Sequence, residues 1–146
     1  MKRRTFEDSV CPIARTLDVV GEWWTFLILR NVVIGGPGRF DDLQRTIGIS
    51  PNVLSARLTT LVDNGVLERR QYSDRPPRYE YVATEKGMDL LPVLVTLAAW
   101  GTKWVDGEPE VGRLQHGDHA VAPTLACSVC DAPVDRGHLH PHMPPA

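Results

Sequence analysis

Residues 40–65 carry two helical segments back to back, joined by a tight glycine-containing turn, and this pairing restricts the fold more than any other stretch. Phe40-Asp41-Asp42-Leu43-Gln44-Arg45-Thr46-Ile47 reads as a short helix closed by Gly48. Ser50-Pro51 restarts the chain: serine is a favourable N-cap, and proline has no N–H to lose at the first helical position. Leu54, Leu58, Leu61 and Val62 then share one face up to Asn64-Gly65, a C-terminal stop.

Upstream, Pro12 opens an amphipathic helix with Ile13, Leu17 and Val20 at i, i+4 and i+7. Trp23–Ile34 is apolar almost all round, which predicts a helix in the middle of the core, ended by Gly35-Gly36-Pro37-Gly38. Downstream, residues 66–72 and 78–83 have strand composition, and Ser73-Asp74-Arg75-Pro76-Pro77 reads as a hairpin tip. Thr84 can cap a last long helix from Glu85 to Val105. Its Pro92 costs about 3 kcal/mol unless the helix kinks or starts later. Two short helices at a tight turn, followed by a β-hairpin, is the winged helix-turn-helix arrangement. The expected fold is mainly α with a β-hairpin wing, a long C-terminal dimerisation helix and a polar tail.

With 42% hydrophobic and 23% charged residues the chain can bury a core. Its longest apolar runs, Trp23–Leu29 and Val93–Trp100, fall far short of the roughly 20 residues a membrane span needs. Lys2-Arg3-Arg4-Thr5-Phe6 is followed by Glu7-Asp8-Ser9 rather than an apolar segment, so no export signal is read and a cytoplasmic location is expected. Three cysteines cannot make a disulfide framework, which agrees with a reducing compartment.

Charge divides the chain. Residues 1–105 hold 14 Lys/Arg against 12 Asp/Glu, whereas residues 106–146 hold 2 against 6 and contain all five histidines. Gly107, Pro109, Gly112, Gly117 and Pro123 punctuate the second part. The expected division is a DNA-binding and dimerisation domain over 1–105, then a linker and Cys/His-containing tail over 106–146.

The functional signal is densest on the helix over 50–64. With Leu54, Leu58, Leu61 and Val62 turned inward, Asn52, Val53, Ala56, Thr59 and Thr60 face outward, with Ser55 and Arg57 on the flanks and Ser50-Pro51 at the start. Short side chains allow close approach to a major groove, and Asn, Ser and Arg offer donors to base edges and phosphates. Such a face on its own is an ordinary solvated surface; the preceding helix and the following basic hairpin shift the reading towards double-stranded DNA. That hairpin sets Arg69, Arg70, Arg75 and Arg78 against Glu68, Asp74 and Glu80, and Arg39 could add a phosphate contact. The small basic surplus is offset by dimerisation, which doubles the footprint, and by helix N-terminal amides.

The last helix carries more apolar surface than one core uses. Leu90, Leu94, Leu97, Gly101 and Trp104 form one stripe, Leu91, Val95, Ala98 and Val105 a second, and Trp100 adds to both. A second stripe points to a partner chain, with a wide intramolecular contact as the alternative.

Several motifs together closely resemble the HxlR family of bacterial winged-helix transcription regulators. These are Cys11-Pro12-Ile13-Ala14-Arg15, Gly21-Glu22-Trp23-Trp24-Thr25-Phe26-Leu27-Ile28-Leu29-Arg30, Arg39-Phe40-Asp41-Asp42-Leu43-Gln44, and Gly48-Ile49-Ser50-Pro51-Asn52-Val53-Leu54-Ser55-Ala56-Arg57-Leu58. The wing Arg75-Pro76-Pro77-Arg78-Tyr79-Glu80-Tyr81 and Thr84-Glu85-Lys86-Gly87 continue the match, which covers about residues 10–105. Trp24 departs from the family pattern, where a charged or polar residue is common. The resemblance implies a homodimer built by terminal helices, each 50–64 helix in a major groove and each wing on flanking backbone. It also makes Cys11 a redox or electrophile-sensing candidate, since a thiol at a helix N-terminus has its thiolate favoured by the helix dipole.

In the tail, His116-x-x-His119 and Cys127-x-x-Cys130 form two ligand pairs seven residues apart, a set suited to tetrahedral Zn²⁺. His138, His140 and His142 are alternative partners. No cofactor other than this Zn²⁺ is suggested. A phosphate loop, a paired-acid site and a Gly-x-Ser-x-Gly elbow are all missing, so no enzyme is expected. The rival reading is a protein-interaction module with a zinc-stabilised tail; a small-molecule or electrophile effector fits either.

Overall fold

The computed structural model describes residues 5–105, 113–137 and 139. In chain order its elements are α1 (Pro12–Val20), α2 (Trp23–Leu29), a π-helical turn (Arg30–Ile34), β1 (Gly38–Arg39), α3 (Phe40–Ile47) and α4 (Pro51–Asp63). There follow β2 (Leu67–Asp74), β3 (Pro77–Ala83), α5 (Glu85–Met88), α6 (Leu91–Trp104), β4 (Gln115–His116) and β5 (His119–Ala120). The chain forms two compact units, Met1–Leu94 and Val95–Ala146.

The core of the first unit is built around α4. Leu54, Leu58 and Leu61, at i, i+4 and i+7, are almost completely buried, and each contributes about 1.5–3 kcal/mol by leaving water. Ile28, Leu29, Val32 and Val33 meet them from α2 and the π turn, joined by Leu43, Ile49, Val66, Leu67 and Leu94. Val62, expected inside, is only half-buried. The all-apolar Trp23–Ile34 segment also departs from expectation at its ends: Trp23 is 72% and Ile34 39% exposed. A larger departure is α1, where Val20 is buried but Ile13 and Leu17 of the same stripe are exposed.

The helix-turn-helix forms as its local signals predict. Gly48 closes α3 in the left-handed conformation at φ 74°, donating its N–H to the Gln44 carbonyl. Asp41 and Asp42 in the first turn of α3 complement the helix dipole. Pro51 starts α4, yet the Ser50 side chain makes no capping hydrogen bond.

The wing is wider than the sequence suggests. β2 and β3 pair antiparallel, and the two-residue β1 adds a third strand in the order β1-β3-β2, with Gly38 opposite Tyr81 and Arg39 opposite Glu80. A Cβ at Gly38 would come within 2.9 Å of the Leu43 side chain, so any other residue there would force Leu43 to shift.

The expected long last helix is two helices. Thr84 Oγ1 accepts the Gly87 N–H as the cap of α5, which ends at Met88, and α6 begins at Leu91. Pro92 thus falls in the first turn of α6, where a missing N–H leaves no bond unmade.

The tail is more ordered than a linker. β4 and β5 form a tight hairpin with His116 opposite His119. A second hairpin follows, with Ala126 bridged to Pro133 and the Val134 N–H donating to the Leu125 carbonyl at 2.9 Å. No residue within 113–137 is buried.

Candidate nucleic-acid interface

Anchored by its three leucines, α4 turns Pro51, Asn52, Ser55, Ala56 and Thr59 to solvent, while Val53 and Thr60 are half-buried. Ser50 is exposed with its hydroxyl unengaged by the cap, so that oxygen and the first-turn amides stand together at the helix start. Phosphate oxygens favour such a terminus. Thr60 Oγ1 is tied to the Ala56 carbonyl at 3.0 Å.

Arg57, expected on the flank of this face, also has a partner within the chain. Its guanidinium turns back to Glu22, the residue before α2, at 3.7 Å, with the two side chains 24% and 32% exposed. The Arg57 Nε is buried without a hydrogen-bond partner. This side chain braces α4 against the start of α2, so Asn52, Ser55 and Ala56 carry the open face.

A second brace holds the other end of α4. Gly65, at φ 66°, turns the chain, and the Val66 N–H returns to the Leu61 carbonyl. Thr84 Oγ1 donates to the Gly65 carbonyl at 2.6 Å, and Lys86 Nζ donates to the Asn64 carbonyl at 2.7 Å. A Cβ on Gly87 would overlap the Val66 carbonyl oxygen. The Thr84-Glu85-Lys86-Gly87 motif therefore locks the wing base and the end of α4 together.

The wing arginines fall into three kinds. Arg70 is committed within the sheet, its Nε and Nη2 donating to Glu80 Oε1 at 3.1 and 2.8 Å across the Arg70–Glu80 register pair. Arg69 lies 3.7 Å above the Tyr79 ring and Arg39 lies 4.4 Å above Tyr72. A stacked guanidinium is held in place while its in-plane N–H donors stay available. Arg75 and Arg78 are exposed and form no ion pair among the described residues. Arg39, Arg45, Arg69, Arg78, Tyr72 and Tyr79 line a groove of about 660 Å³ beside α3. Arg45 pairs with Asp42 there. Sequence reading missed both tyrosines and Arg45; the Arg/Tyr alternation over 69–81 was the available signal.

The stripe expected for dimerisation divides. Leu94 is buried and Leu90 half-buried in the chain's own core, whereas Leu97, Trp100 and Trp104 are 49%, 59% and 64% exposed. Gly101 is half-buried. Phe6, Val10, Ile13 and Leu17 at the N-terminal end are likewise exposed. Cys11 is an exposed free thiol at the N-cap of α1.

In the tail, the His116 and His119 rings stand edge to face with centroids 5.4 Å apart. Cys127 and Cys130 are both free thiols. Hydrogen bonds from the Val129 and Cys130 backbone N–H groups, and from the Cys130 thiol, hold the Cys127 thiol below the usual cysteine range against a small desolvation effect. The four side chains stand as two pairs: among the described residues no three His, Cys, Asp or Glu converge to hold a metal ion. His138, His140 and His142 lie outside the described residues. No helix among the described residues is long and apolar enough to cross a membrane.

The family model for the HxlR-like helix-turn-helix matches residues 19–109. The HTH-type transcriptional regulator Rv3095 of Mycobacterium tuberculosis (strain ATCC 25618 / H37Rv) is 39% identical over 139 residues, 91% of this chain and 85% of that protein. The solved structure of PA1607 matches at a TM-score of 0.81 and 30% identity, over 95% of this chain and 99% of its own. The redox regulator HypR, in its reduced form, matches at a TM-score of 0.60 and 32% identity, over 64% of this chain and 92% of its own. With its helix-turn-helix, its braced α4 and its arginine-bearing wing, this chain is a transcriptional regulator and belongs to the HxlR-like helix-turn-helix family.

Proposed function

We propose that the protein binds double-stranded DNA sequence-specifically as a homodimer, with each α4 in a major groove and each wing along the flanking backbone, and that it does so in the cytoplasm. One observation carries this reading. The outward row of α4 is small and polar, is rigidly seated through Leu54, Leu58 and Leu61, and is followed by a wing whose Arg75 and Arg78 have no internal partner among the described residues. Asn52 and Ser55 supply base-edge donors, and Ser50 with the first-turn amides supplies phosphate donors. Arg75, Arg78 and the stacked Arg39 and Arg69 supply charge. Exposed apolar side chains on α1 and on α6 supply the dimer surface, each helix presenting what a single chain leaves in water. Selecting operators from the source genome with the full chain tests this. A selected site with two half-sites, bound by a dimer, is the expected result, and binding indifferent to sequence refutes it.

A second reading concerns control. Cys11 is exposed at the head of α1, and the structurally similar HypR is a redox regulator. Oxidation of Cys11 there would alter a terminal helix of the dimer surface. In this reading an oxidant or electrophile lowers operator affinity in the wild type and leaves Cys11→Ser unaffected; an equal response in both refutes it.

A further inference from the structure

Most of α6 and the tail belong to the second compact unit, Val95–Ala146, which contains neither α4 nor the wing. Small side chains leave a gap inside it. Ala98 and Ala99 of α6, Ala120 of β5 and Ala122 just beyond it all line the same space. Side chains that stop at Cβ cannot fill it, and a cavity of about 480 Å³ opens there, within the roughly 300–1,000 Å³ of small-molecule sites. Half-buried Val95, Leu114, Val121 and Pro123 complete its apolar lining. Trp100 and Trp104 add two indole rings that the chain leaves more than half exposed.

The charge of this cavity runs against that of its surroundings. Residues 106–146 hold six acidic residues and two basic ones, Arg113 and Arg136, yet Arg113 lines the cavity and no Asp or Glu does. Lys103 of α6 lines it as well, with Nζ 4.8 Å from the centroid of the Trp104 ring, so its ammonium is held against an aromatic wall. Neither cation forms an ion pair among the described residues. Thr102 Oγ1 is already engaged, donating to the Ala98 carbonyl at 2.9 Å. An apolar space with aromatic walls and two cations is thus left to an occupant.

We propose that this cavity binds a small aromatic carboxylate, its ring against Trp100 and Trp104 and its carboxylate taken by Lys103 and Arg113. Each part of the ligand answers a part of the lining. An aromatic ring covers indole surface that otherwise stays in water. A carboxylate accepts charge-assisted hydrogen bonds from both cations, whereas a neutral ligand would desolvate them without a partner. A cationic ligand would meet two like charges. The site lies outside α4 and the wing, so the inference does not rest on the operator reading.

The test is isothermal titration calorimetry of the full chain with 2-naphthoate and with its neutral counterpart, 2-naphthalenemethanol. One naphthoate per chain is expected, bound roughly tenfold or more tightly than the alcohol, as charge-assisted hydrogen bonds imply. Lys103→Gln and Arg113→Gln should each remove most of that preference while leaving the weak binding of the alcohol unchanged, which shows that the cavity is still formed. Trp104→Phe should retain naphthoate binding and Trp104→Ala should lose it. Trp100 and Trp104 also lie on the surface proposed for pairing, so sedimentation of each variant is followed in parallel. The glutamine variants keep both indoles, and loss of naphthoate binding in them at unchanged sedimentation separates this site from the dimer reading. Absence of naphthoate binding at millimolar concentration, equal affinity for the neutral alcohol, or unchanged naphthoate affinity in both glutamine variants would each overturn the proposal.

Discussion

Replacing Arg57 by alanine separates bracing from DNA contact on one helix. The Arg57–Glu22 pair, at 3.7 Å, has a gross attraction of about 4.5 kcal/mol at an effective dielectric near 20. The side chains keep 24% and 32% exposure, so screening and desolvation reduce the net contribution to about 1–2 kcal/mol. Arg57→Ala should therefore lower the urea midpoint by about 0.5–1 M, followed by far-ultraviolet circular dichroism at fixed protein concentration. Glu22→Gln should cost a similar amount, and the double variant should show coupling well above about 0.5 kcal/mol. Asn52→Ala, at an exposed position of α4, should leave stability within about 0.5 kcal/mol of wild type and cost about 1–3 kcal/mol of operator affinity. An unchanged midpoint for Arg57→Ala, together with an operator loss matching that of Asn52→Ala, would mean the guanidinium reaches DNA and the bracing argument fails.

Arg75→Ala and Arg78→Ala should each weaken binding to all DNA sequences alike and flatten the log–log salt slope by about 0.9 for each phosphate no longer neutralised. Arg70→Ala should flatten it less, because Arg70 is committed to Glu80; equal slopes for all three would contradict the assignment. Trp100→Glu and Leu97→Glu should shift sedimentation towards monomer and weaken operator binding in parallel, whereas a stable wild-type monomer at micromolar concentration would remove the dimer. Gly48→Ala should cost about 1 kcal/mol, from backbone conformation alone, since nothing lies within 4 Å of the added Cβ. Gly87→Ala should cost distinctly more in the same melt, because its Cβ overlaps the Val66 carbonyl; equal costs would mean the wing base yields.

The parts of this fold written in local chemistry were readable from the chain. Gly48 and Pro51 define the turn between α3 and α4 through their own backbone restrictions, and Leu54, Leu58 and Leu61 place α4 by spacing alone. What escaped depends on partners far along the sequence. Arg57 meets a carboxylate 35 positions earlier, and β1 is two residues whose strand character exists only because Tyr81 and Glu80 lie opposite. Arg70 and Arg75 look alike in composition and differ because register sets Arg70 across from Glu80. Periodicity in α1 reports an apolar face without saying what covers it, and a single chain leaves Ile13 and Leu17 of that face exposed. Pro92 signalled a break in the last helix, and the break falls just before it, between Met88 and Leu91.

The central claim is that α4 reads the major groove of two half-sites in one operator. Methylation interference at guanine N7, an atom accessible only in the major groove, tests it most directly on a selected operator bound by the full chain. The expected pattern is two symmetric clusters of interfering guanines about 10–10.5 base pairs apart, or a multiple of that, with individual positions relieved in Asn52→Ala. Binding that is indifferent to N7 methylation, or a single unpaired cluster that Asn52→Ala leaves unchanged, would contradict it.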